Sequence, residues 1–340
     1  MLWPDDEQIK EAIMHQENIL DIDVRKRFKC ELIGRRGRVK PSCCPGGFCI
    51  AFEMKDDYNR RLCYRVWRKR PISDLKERLQ LISNALQSYK LPYFVGFQYV
   101  EFSLNVNGMT LPGVRMDWVE GSSLGDFLRN KPSAMILRKL ATDFMTMCQT
   151  FERLGIAHGD LSNANIYITP GGEIRLVDYD SVYVPSMGNL YMQSTGGLDG
   201  FQHPYRINNV DKLKVSAKDD YFSQQVIYLS LLALSFNPAL SSYIDIDLLF
   251  NKNDYDSDSA FIASRGYKAI AAIKNDEVQA RLAEFRRTIN GALSSVRSIC
   301  DFEMPKRQKS ANYCIACGHQ FTNAVEHYCI SCGAQRVSIN

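Results

Sequence analysis

Residues 158–165 read HGDLSNAN, and residues 174–180, which follow a Gly-Gly turn, read IRLVDYD. A helical apolar pattern leads into the first segment and a β-prone run leads into the second, so the polar groups are expected on loops. Phosphoryl transfer requires a group that orients the attacking hydroxyl and hard oxygen ligands that hold Mg²⁺ against the phosphates. Asp160, Asn165 and Asp178 supply these groups, and their spacing predicts a phosphotransfer site.

The composition of the 340-residue chain is that of a globular protein. Hydrophobic residues make up 45% and charged residues 24%, which excludes collagen-like, coiled-coil and disordered classes. A net charge of +4 is too small to predict nucleic acid as the main partner. The longest apolar run is shorter than the roughly 20 residues of a membrane-spanning helix, and the acidic N-terminus lacks the pattern of a secretory signal. We therefore expect a cytoplasmic protein with no membrane partner and with reduced cysteines.

The residue pattern divides the chain into five segments. Short β-prone runs separated by turn residues predict an antiparallel sheet in the first lobe, with one helix beginning at Ser73. Beyond about residue 120 the pattern is mostly helical, with a long stripe that ends at Leu154 and a buried helix that begins near Asp220. The predicted domains are an N-terminal helical extension (1–26), a small α+β lobe (27–119), a helical lobe (120–304), a linker (305–312) and a cysteine-rich module (313–340).

The polar motifs resemble those of the protein-kinase superfamily. His-x-Asp followed five residues later by Asn is the pattern of its catalytic loop, and Asp178 lies where the family has Asp-Phe-Gly. The segment that begins at Asp220 resembles the element that anchors the catalytic-loop backbone. The resemblance covers residues ~27 to ~300 and implies a two-lobed α+β fold with a β-rich N-lobe and a helical C-lobe. It also implies that Asp160 is the catalytic base and that Asn165 and Asp178 are Mg²⁺ ligands.

The ATP site is implied by a second set of positions. Met116 resembles the gatekeeper residue where the lobes join, and the backbone of Asp117 and Val119 would contact adenine. Arg65 stands where the family has the lysine that binds the phosphates, with the same charge on a wider planar group. The remaining candidates are Glu77 as the helix carboxylate that pairs with Arg65, and Gly46 and Gly47 as the glycine-rich loop.

Several positions depart from the family pattern. The glycines before residue 50 do not match G-x-G-x-x-G, and Gly159 replaces the catalytic-loop arginine. Arg65 in place of lysine and the unmatched glycine loop leave open a pseudokinase that acts as a scaffold. Asp180 replaces the glycine of Asp-Phe-Gly.

The substrate class is predicted from two further segments. His-Gly-Asp-Leu also occurs in aminoglycoside and choline kinases, which leaves a small-molecule kinase open. Residues 201–206, FQHPYR, lie where protein kinases have a peptide-positioning segment and favour a protein serine/threonine kinase. With Trp3-Pro4, the chain is similar to a bacterial kinase-like family found beside a protein phosphatase and a von Willebrand factor A protein in tellurite-resistance-type clusters. That similarity implies these two proteins as partners, together with a protein substrate.

The C-terminal module carries a C-x₂-C-x₁₁-C-x₂-C array. Two residues between thiolates allow one turn to present both sulfurs to a metal, and four thiolates complete a tetrahedral Zn²⁺ site. About 27 residues bury too little apolar surface to fold alone, so the metal is expected to stabilise a zinc ribbon that recruits a partner. The predicted ligands are Cys314, Cys317, Cys329 and Cys332.

Overall fold

The computed structural model describes residues 2–35, 38–193, 196–304, 309–310, 316–317, 319–321, 327–335 and 338–339. They form two compact units, Met1–Asp301 and Phe302–Asn340. The first unit has an antiparallel sheet in its N-terminal part and a helical C-terminal part, which confirms the predicted α+β class. Most of the predicted linker lies outside the described residues. Among the described residues, no helix is both long and apolar enough to cross a membrane.

The N-terminal part is built on one curled sheet in the order β1-β5-β6-β8-β7, with β4 also paired to β5. Its strands alternate buried and less buried positions, which is the period-2 pattern of a sheet with two different faces. The strands of this part are β1 (Phe28–Cys30), β2 (Leu32–Arg35), β3 (Arg38–Pro41), β4 (Cys43–Pro45), β5 (Cys49–Asp56), β6 (Arg61–Trp67), β7 (Phe97–Val106) and β8 (Met109–Asp117).

The edge of this sheet is interrupted by a hairpin. Strands β1 and β4 pair with successive parts of β5, and strands β2 and β3 pair with each other between them. Ser42 N donates to Glu31 O at 2.7 Å, so the two ends of the hairpin meet beside β5. Sequence analysis expected a sheet here but did not predict the hairpin.

The outer face of the sheet is covered by the N-terminal helices α1 (Asp6–Met14) and α2 (Ile22–Arg27). Ile9 and Ile13 lie one turn apart on α1 and pack with Phe52 and Tyr64 of the sheet in one buried cluster. The α1 helix begins with a capping box at Asp5, whose side chain accepts from Gln8 N. The cap and the apolar stripe explain why a helix forms here, as predicted.

The inner face of the sheet belongs to a core that continues into the helical part. Helix α3 (Leu75–Tyr89) lies beside this face. Helix α5 buries the middle of the predicted stripe, but Ile136 at its start is exposed and Leu154 at its end is only partly buried. The helix ends at Gly155 in the left-handed conformation, and helix α7 is buried on nearly every side. The helices of the C-terminal part are α4 (Leu124–Arg129), α5 (Ala134–Leu154), α6 (Pro204–Ile207), α7 (Tyr221–Phe236), α8 (Asp258–Ala263), α9 (Arg265–Ala271) and α10 (Asp276–Asn290).

A small antiparallel sheet carries the polar loops. It is formed by β9 (Ser122–Ser123), β10 (Ile166–Ile168) and β11 (Ile174–Leu176), in the order β11-β10-β9. The segment 158–165 connects α5 to β10, and Asp178 follows β11 closely. The sheet therefore brings the two motifs to the same end of two paired strands.

The second unit contains a short strand pair, β12 (Lys309–Ser310) with β13 (Ser338–Ile339). A tight turn follows Cys329, whose backbone O accepts from Gly333 N at 2.8 Å. Gly333 has φ +72, a conformation that favours glycine.

Candidate active site

The backbone of the loop that carries Asp160 is held in place by the side chain of Asp220. The buried Asp220 carboxylate accepts from His158 N at 2.5 Å and from Gly159 N at 2.8 Å. Burial raises the pKa of Asp220 to about 6, against the lowering effect of these two hydrogen bonds. The predicted anchoring of the catalytic-loop backbone by the segment that begins at Asp220 is confirmed.

A second anchor, Arg206, was not predicted. Its guanidinium is buried and donates to Gly159 O at 2.8 Å, to Asp219 O at 2.8 Å and to Gln193 Oε1 at 2.9 Å. Sequence analysis noticed the segment 201–206 only as a possible peptide-positioning element. Nothing in the sequence indicated that Arg206, two residues after Pro204, would be buried.

Gly159 is required by the close approach of another backbone segment. Its φ is +79, and a Cβ at this position would overlap the carbonyl oxygen of Ser181. A residue with a side chain, including the family's arginine, does not fit without moving the backbone. The departure at this position therefore has a local structural cause.

Asp160 is held by donors on both carboxylate oxygens. Asn165 Nδ2 donates to Asp160 Oδ2 at 3.1 Å and to Asp160 O at 2.8 Å, and Leu198 N donates to Asp160 Oδ1 at 3.3 Å. Burial raises the pKa of Asp160, and the charge of Asp178 adds to this effect while His158 opposes it. Leu198 is a contact that sequence analysis missed, because nothing in the sequence links residue 198 to residue 160.

Asp178 lies on a strained turn after β11. Its φ is +67, a region that residues with side chains rarely adopt. The backbone on both sides is tied down, since His158 Nε2 contacts Val177 O at 2.9 Å and Tyr179 accepts from Val95 N and donates to Leu176 O, both at 2.8 Å. Tyr179 packs edge-on against Phe94 and is almost fully buried. These contacts hold the Asp178 backbone in a conformation that it would not adopt alone.

Arg65 reaches the same place from strand β6. It is buried, and its Nη2 lies 2.8 Å from Asp178 Oδ1 and 3.1 Å from Asp180 Oδ2, while Nη1 lies 3.4 Å from Asp180 Oδ1. Burial alone would lower the pKa of Arg65, but the carboxylates of Asp178 and Asp180 outweigh it and raise that pKa well above its usual value. For Asp180 the effect of burial is the opposite, and it raises the pKa of this carboxyl to about 6. Two acidic groups thus share one guanidinium.

The predicted pairing of Arg65 with Glu77 is wrong. Glu77 is exposed on α3 and contacts Tyr191, whereas Arg65 pairs with Asp178 and Asp180. The buried polar residue of this helix is the next one, Arg78, which is 1% exposed. Successive helical residues point about 100° apart, so a shift of one position moves the side chain from the surface to the core face.

A cleft of about 530 Å³ lies between the sheet and the C-terminal part. Its walls include Ala51 and Cys63 from the sheet, and Tyr167 and Val177 from the opposite side. Asp160, Glu77 and Gly47 are not among its lining residues. The predicted site residues in the lining are Gly46, Arg65, Met116, Asp117, Val119, Asn165 and Asp178.

The segment that joins the lobes is braced at the mouth of this cleft. The guanidinium of Arg61 lies 4.7 Å from the centroid of the Trp118 ring and pairs with Glu120. Asp117 N donates to Gly96 O at 2.9 Å. The backbone of residues 117–119 is thereby held beside the cleft.

The second unit brings three predicted zinc ligands together. The sulfur atoms of Cys317, Cys329 and Cys332 lie within 4.8 Å of one another, and Cys317 Sγ is 3.6 Å from Cys329 Sγ. Tetrahedral Zn²⁺ with bonds of about 2.3 Å requires sulfurs about 3.8 Å apart, so the donor set fits this ion. The fourth predicted ligand, Cys314, lies outside the described residues.

The comparisons with known proteins include a curated relative. A probable serine/threonine-protein kinase from Streptomyces coelicolor is 21% identical over 131 residues, which are 38% of this chain and 20% of that protein. The two-lobed fold, the cleft and the grouping of Asp160, Asn165 and Asp178 agree with this similarity. The chain has a protein-kinase-like fold. It spans about a fifth of the length of the curated relative.

Two other comparisons complete this result. The structure of the kinase PK-1 from the Cydia pomonella granulovirus aligns with 81% of this chain and 92% of that chain, at 13% identity and a TM-score of 0.48. No family model matches the chain.

Proposed function

We propose that this kinase-like chain is a Mg²⁺- and ATP-dependent protein kinase that transfers the γ-phosphate to a serine or threonine hydroxyl. The observation that carries the proposal is the convergence of Arg65, Asn165 and Asp178 in the lining of the cleft, with Asp160 hydrogen-bonded to Asn165 beside them. Residues more than 100 positions apart in the chain meet there, and they supply the base, the metal ligands and the cation that phosphoryl transfer needs.

The cleft fits a nucleotide. Its volume of about 530 Å³ falls in the usual range of ligand sites, and its apolar walls leave the polar groups at one end. An adenine ring would lie between Ala51 and Tyr167, with the backbone of Asp117 and Val119 at its edge. The phosphates would then lie toward Arg65.

The polar end of the cleft fits Mg²⁺. Asp178 offers a carboxylate, and Asn165 uses its amide nitrogen toward Asp160, which leaves its oxygen as a ligand. Both are hard oxygen donors, which Mg²⁺ prefers. When bound, the ion neutralises charge that develops on the phosphates.

Asp160 would accept the proton of the attacking hydroxyl. In this step the hydroxyl oxygen forms a bond to the γ-phosphorus, the bond to the ADP oxygen breaks, and the proton passes to the carboxylate. Asn165 and Leu198 N–H hold that carboxylate in one orientation. We favour a protein substrate over a small molecule because residues 201–206 resemble the peptide-positioning segment of protein kinases, and because their segment contacts Asp160 through Leu198 N and Gly159 O through Arg206.

A scaffold function is the second candidate, and one contact favours it. Arg65 and Asp178 form a direct ion pair at 2.8 Å, so binding of Mg²⁺ through Asp178 Oδ1 would require a rearrangement of this contact. A chain in which that rearrangement is too costly would bind nucleotide weakly and act through its surfaces alone.

The test is phosphate transfer from γ-labelled ATP with Mg²⁺, measured on the protein itself and on a generic basic protein substrate. We expect labelling by the wild-type chain and its loss in Asp178→Ala and Asp160→Asn. Asp143→Ala removes a partly exposed carboxylate on α5 that pairs only with Lys139 among the described side chains, and it should keep full activity. Equal labelling by wild type and Asp178→Ala would refute the kinase proposal, and absence of labelling in all folded proteins would favour the scaffold.

We also propose that the second unit binds Zn²⁺ through Cys317, Cys329 and Cys332, with Cys314 as the fourth ligand. The sulfur spacing supports this proposal. Backbone N–H groups of Ser331 and Cys332 lower the pKa of the Cys329 thiol despite the opposing effect of burial, which favours the thiolate that binds metals. A structural site of this kind would stabilise a surface that recruits a partner.

A further inference from the structure

We propose that Asp180 is the residue that positions Arg65, in the place of a carboxylate from helix α3. The inference deepens the proposed function and rests on it, since it assigns the partner of the cation that would bind the phosphates.

The contact between Asp180 and Arg65 is two-pronged. Each carboxylate oxygen faces one terminal nitrogen, at 3.1 and 3.4 Å, and side-by-side pairs of this kind fix the plane of the guanidinium as well as its position. Both side chains are largely shielded from water, with 11% and 18% of the Arg65 and Asp180 side chains exposed. Shielding strengthens the pair relative to a surface ion pair.

Asp178 is less suited than Asp180 to be the lasting partner of Arg65. It also contacts the guanidinium, but the proposed reaction assigns its carboxylate to Mg²⁺. The Asp178 side chain is 44% exposed and lines the cleft, whereas the Asp180 side chain is 18% exposed and is not among the lining residues. When Asp178 turns to the metal, Asp180 remains as the carboxylate that keeps Arg65 in place.

Helix α3 contributes a cation to this cluster rather than an acid. The positive charge of Arg78 acts on Asp180 as that of Arg65 does, so two guanidinium groups stabilise the same carboxylate. Arg78 also donates to Met192 O at 3.1 Å and packs over the Tyr191 ring, 5.5 Å from its centroid. Helix α3 is thus connected to the segment after Asp180 through an arginine.

This arrangement predicts that the carboxylate of Asp180, and not that of Glu77, supports binding of ATP. Asp180→Asn keeps the shape of the side chain and removes its charge, and we expect the KM for ATP to rise about tenfold or more with a smaller change in kcat. Glu77→Gln removes the neighbouring α3 carboxylate that lies outside the cluster and should change KM less than twofold. The melting temperature without nucleotide reports folding, and its increase on addition of Mg²⁺ and ATP reports binding independently of turnover.

A double variant separates positioning from general stability. In an Arg65→Met background the guanidinium is already gone, so Asp180→Asn should cause no further loss of nucleotide binding. Equal effects of Asp180→Asn with and without Arg65, or wild-type binding by the single variant, would overturn the inference alone. Absence of nucleotide binding by the wild-type chain would instead overturn the proposed function and the inference together.

Discussion

Replacing Gly159 by alanine tests the close approach of two backbone segments at the catalytic loop. A non-glycine residue at φ near +80 costs about 1 kcal/mol, at the low end of the usual range. The added Cβ would also overlap the backbone of Ser181, which cannot rotate away, and overpacking of this kind costs roughly 1–3 kcal/mol. We therefore expect Gly159→Ala to lower the free energy of unfolding by about 2–4 kcal/mol.

Gly172 provides the matched control. It has nearly the same φ, +82, but a Cβ there meets no atom within 4 Å in the described structure. Gly172→Ala should therefore cost about 1 kcal/mol, which is the backbone strain alone. The difference between the two variants measures the contact with Ser181.

Urea unfolding followed by circular dichroism measures both variants. Circular dichroism is preferable to tryptophan fluorescence because the three tryptophans, residues 3, 67 and 118, all precede the catalytic loop. Equal losses of stability in the two variants would refute the reasoning, since the Ser181 contact would then contribute nothing. A shift of the loop should also weaken Mg²⁺- and ATP-dependent labelling, because Asp160 is the next residue.

Three further predictions follow from contacts around the two proposed sites. Gly197→Ala should reduce kcat at least tenfold, because its Cβ would lie 2.5 Å from Asp160 Oδ1. Gly196→Ala should leave kcat unchanged, because a Cβ there meets no atom of the described residues within 4 Å, and equal kcat values for the two variants in steady-state kinetics would contradict the prediction. Asp220 binds its proton more tightly in the folded state, so its contribution to stability is present below pH 3.8 and is lost as the pH rises through about 6. The change in the pKa of Asp220 from 3.8 to about 6 corresponds to about 3 kcal/mol. Between acidic and neutral pH, the free energy of unfolding of the wild type, measured by urea titration, should fall by this amount relative to that of Asp220→Asn. Parallel pH profiles of the two proteins would contradict the prediction. Removal of zinc by a chelator should unfold the second unit and leave the Mg²⁺- and ATP-dependent melting shifts intact. A colorimetric indicator should then measure about one released zinc per chain, and a chain without bound zinc would contradict the metal site.

The α+β class and the grouping of Asp160, Asn165 and Asp178 could be predicted because both depend on local spacing. Periodicity specified α5 and the sheet, and fixed intervals placed the three polar residues at the ends of β10 and β11. The helix that begins near Asp220 could be predicted from its apolar run, whereas the contact of Asp220 with the loop was implied by the resemblance to protein kinases.

The partner of Arg65 could not be predicted in the same way, because it depends on the rotation of α3. Leu75, Leu79 and Ile82 define the buried stripe of this helix, and Arg78 lies three residues after the first and four before the last. That position marks Arg78 as inward-facing and Glu77 as outward-facing, but a charged residue on a core stripe is ordinarily counted as surface. The helix register was therefore available in the sequence, whereas the contact of Arg65 with Asp180 was not.

The hairpin of β2 and β3 has a practical consequence for engineering this chain. Because Ser42 N donates to Glu31 O, the polypeptide leaves and rejoins the sheet edge at two points one hydrogen bond apart. Residues 32–41 can be exchanged for a short turn, or for a fluorescent or affinity tag with neighbouring termini, while β1 and β4 keep their pairing with β5. A reporter grafted there would sit beside β4, the strand that leads into Gly46 in the lining of the cleft.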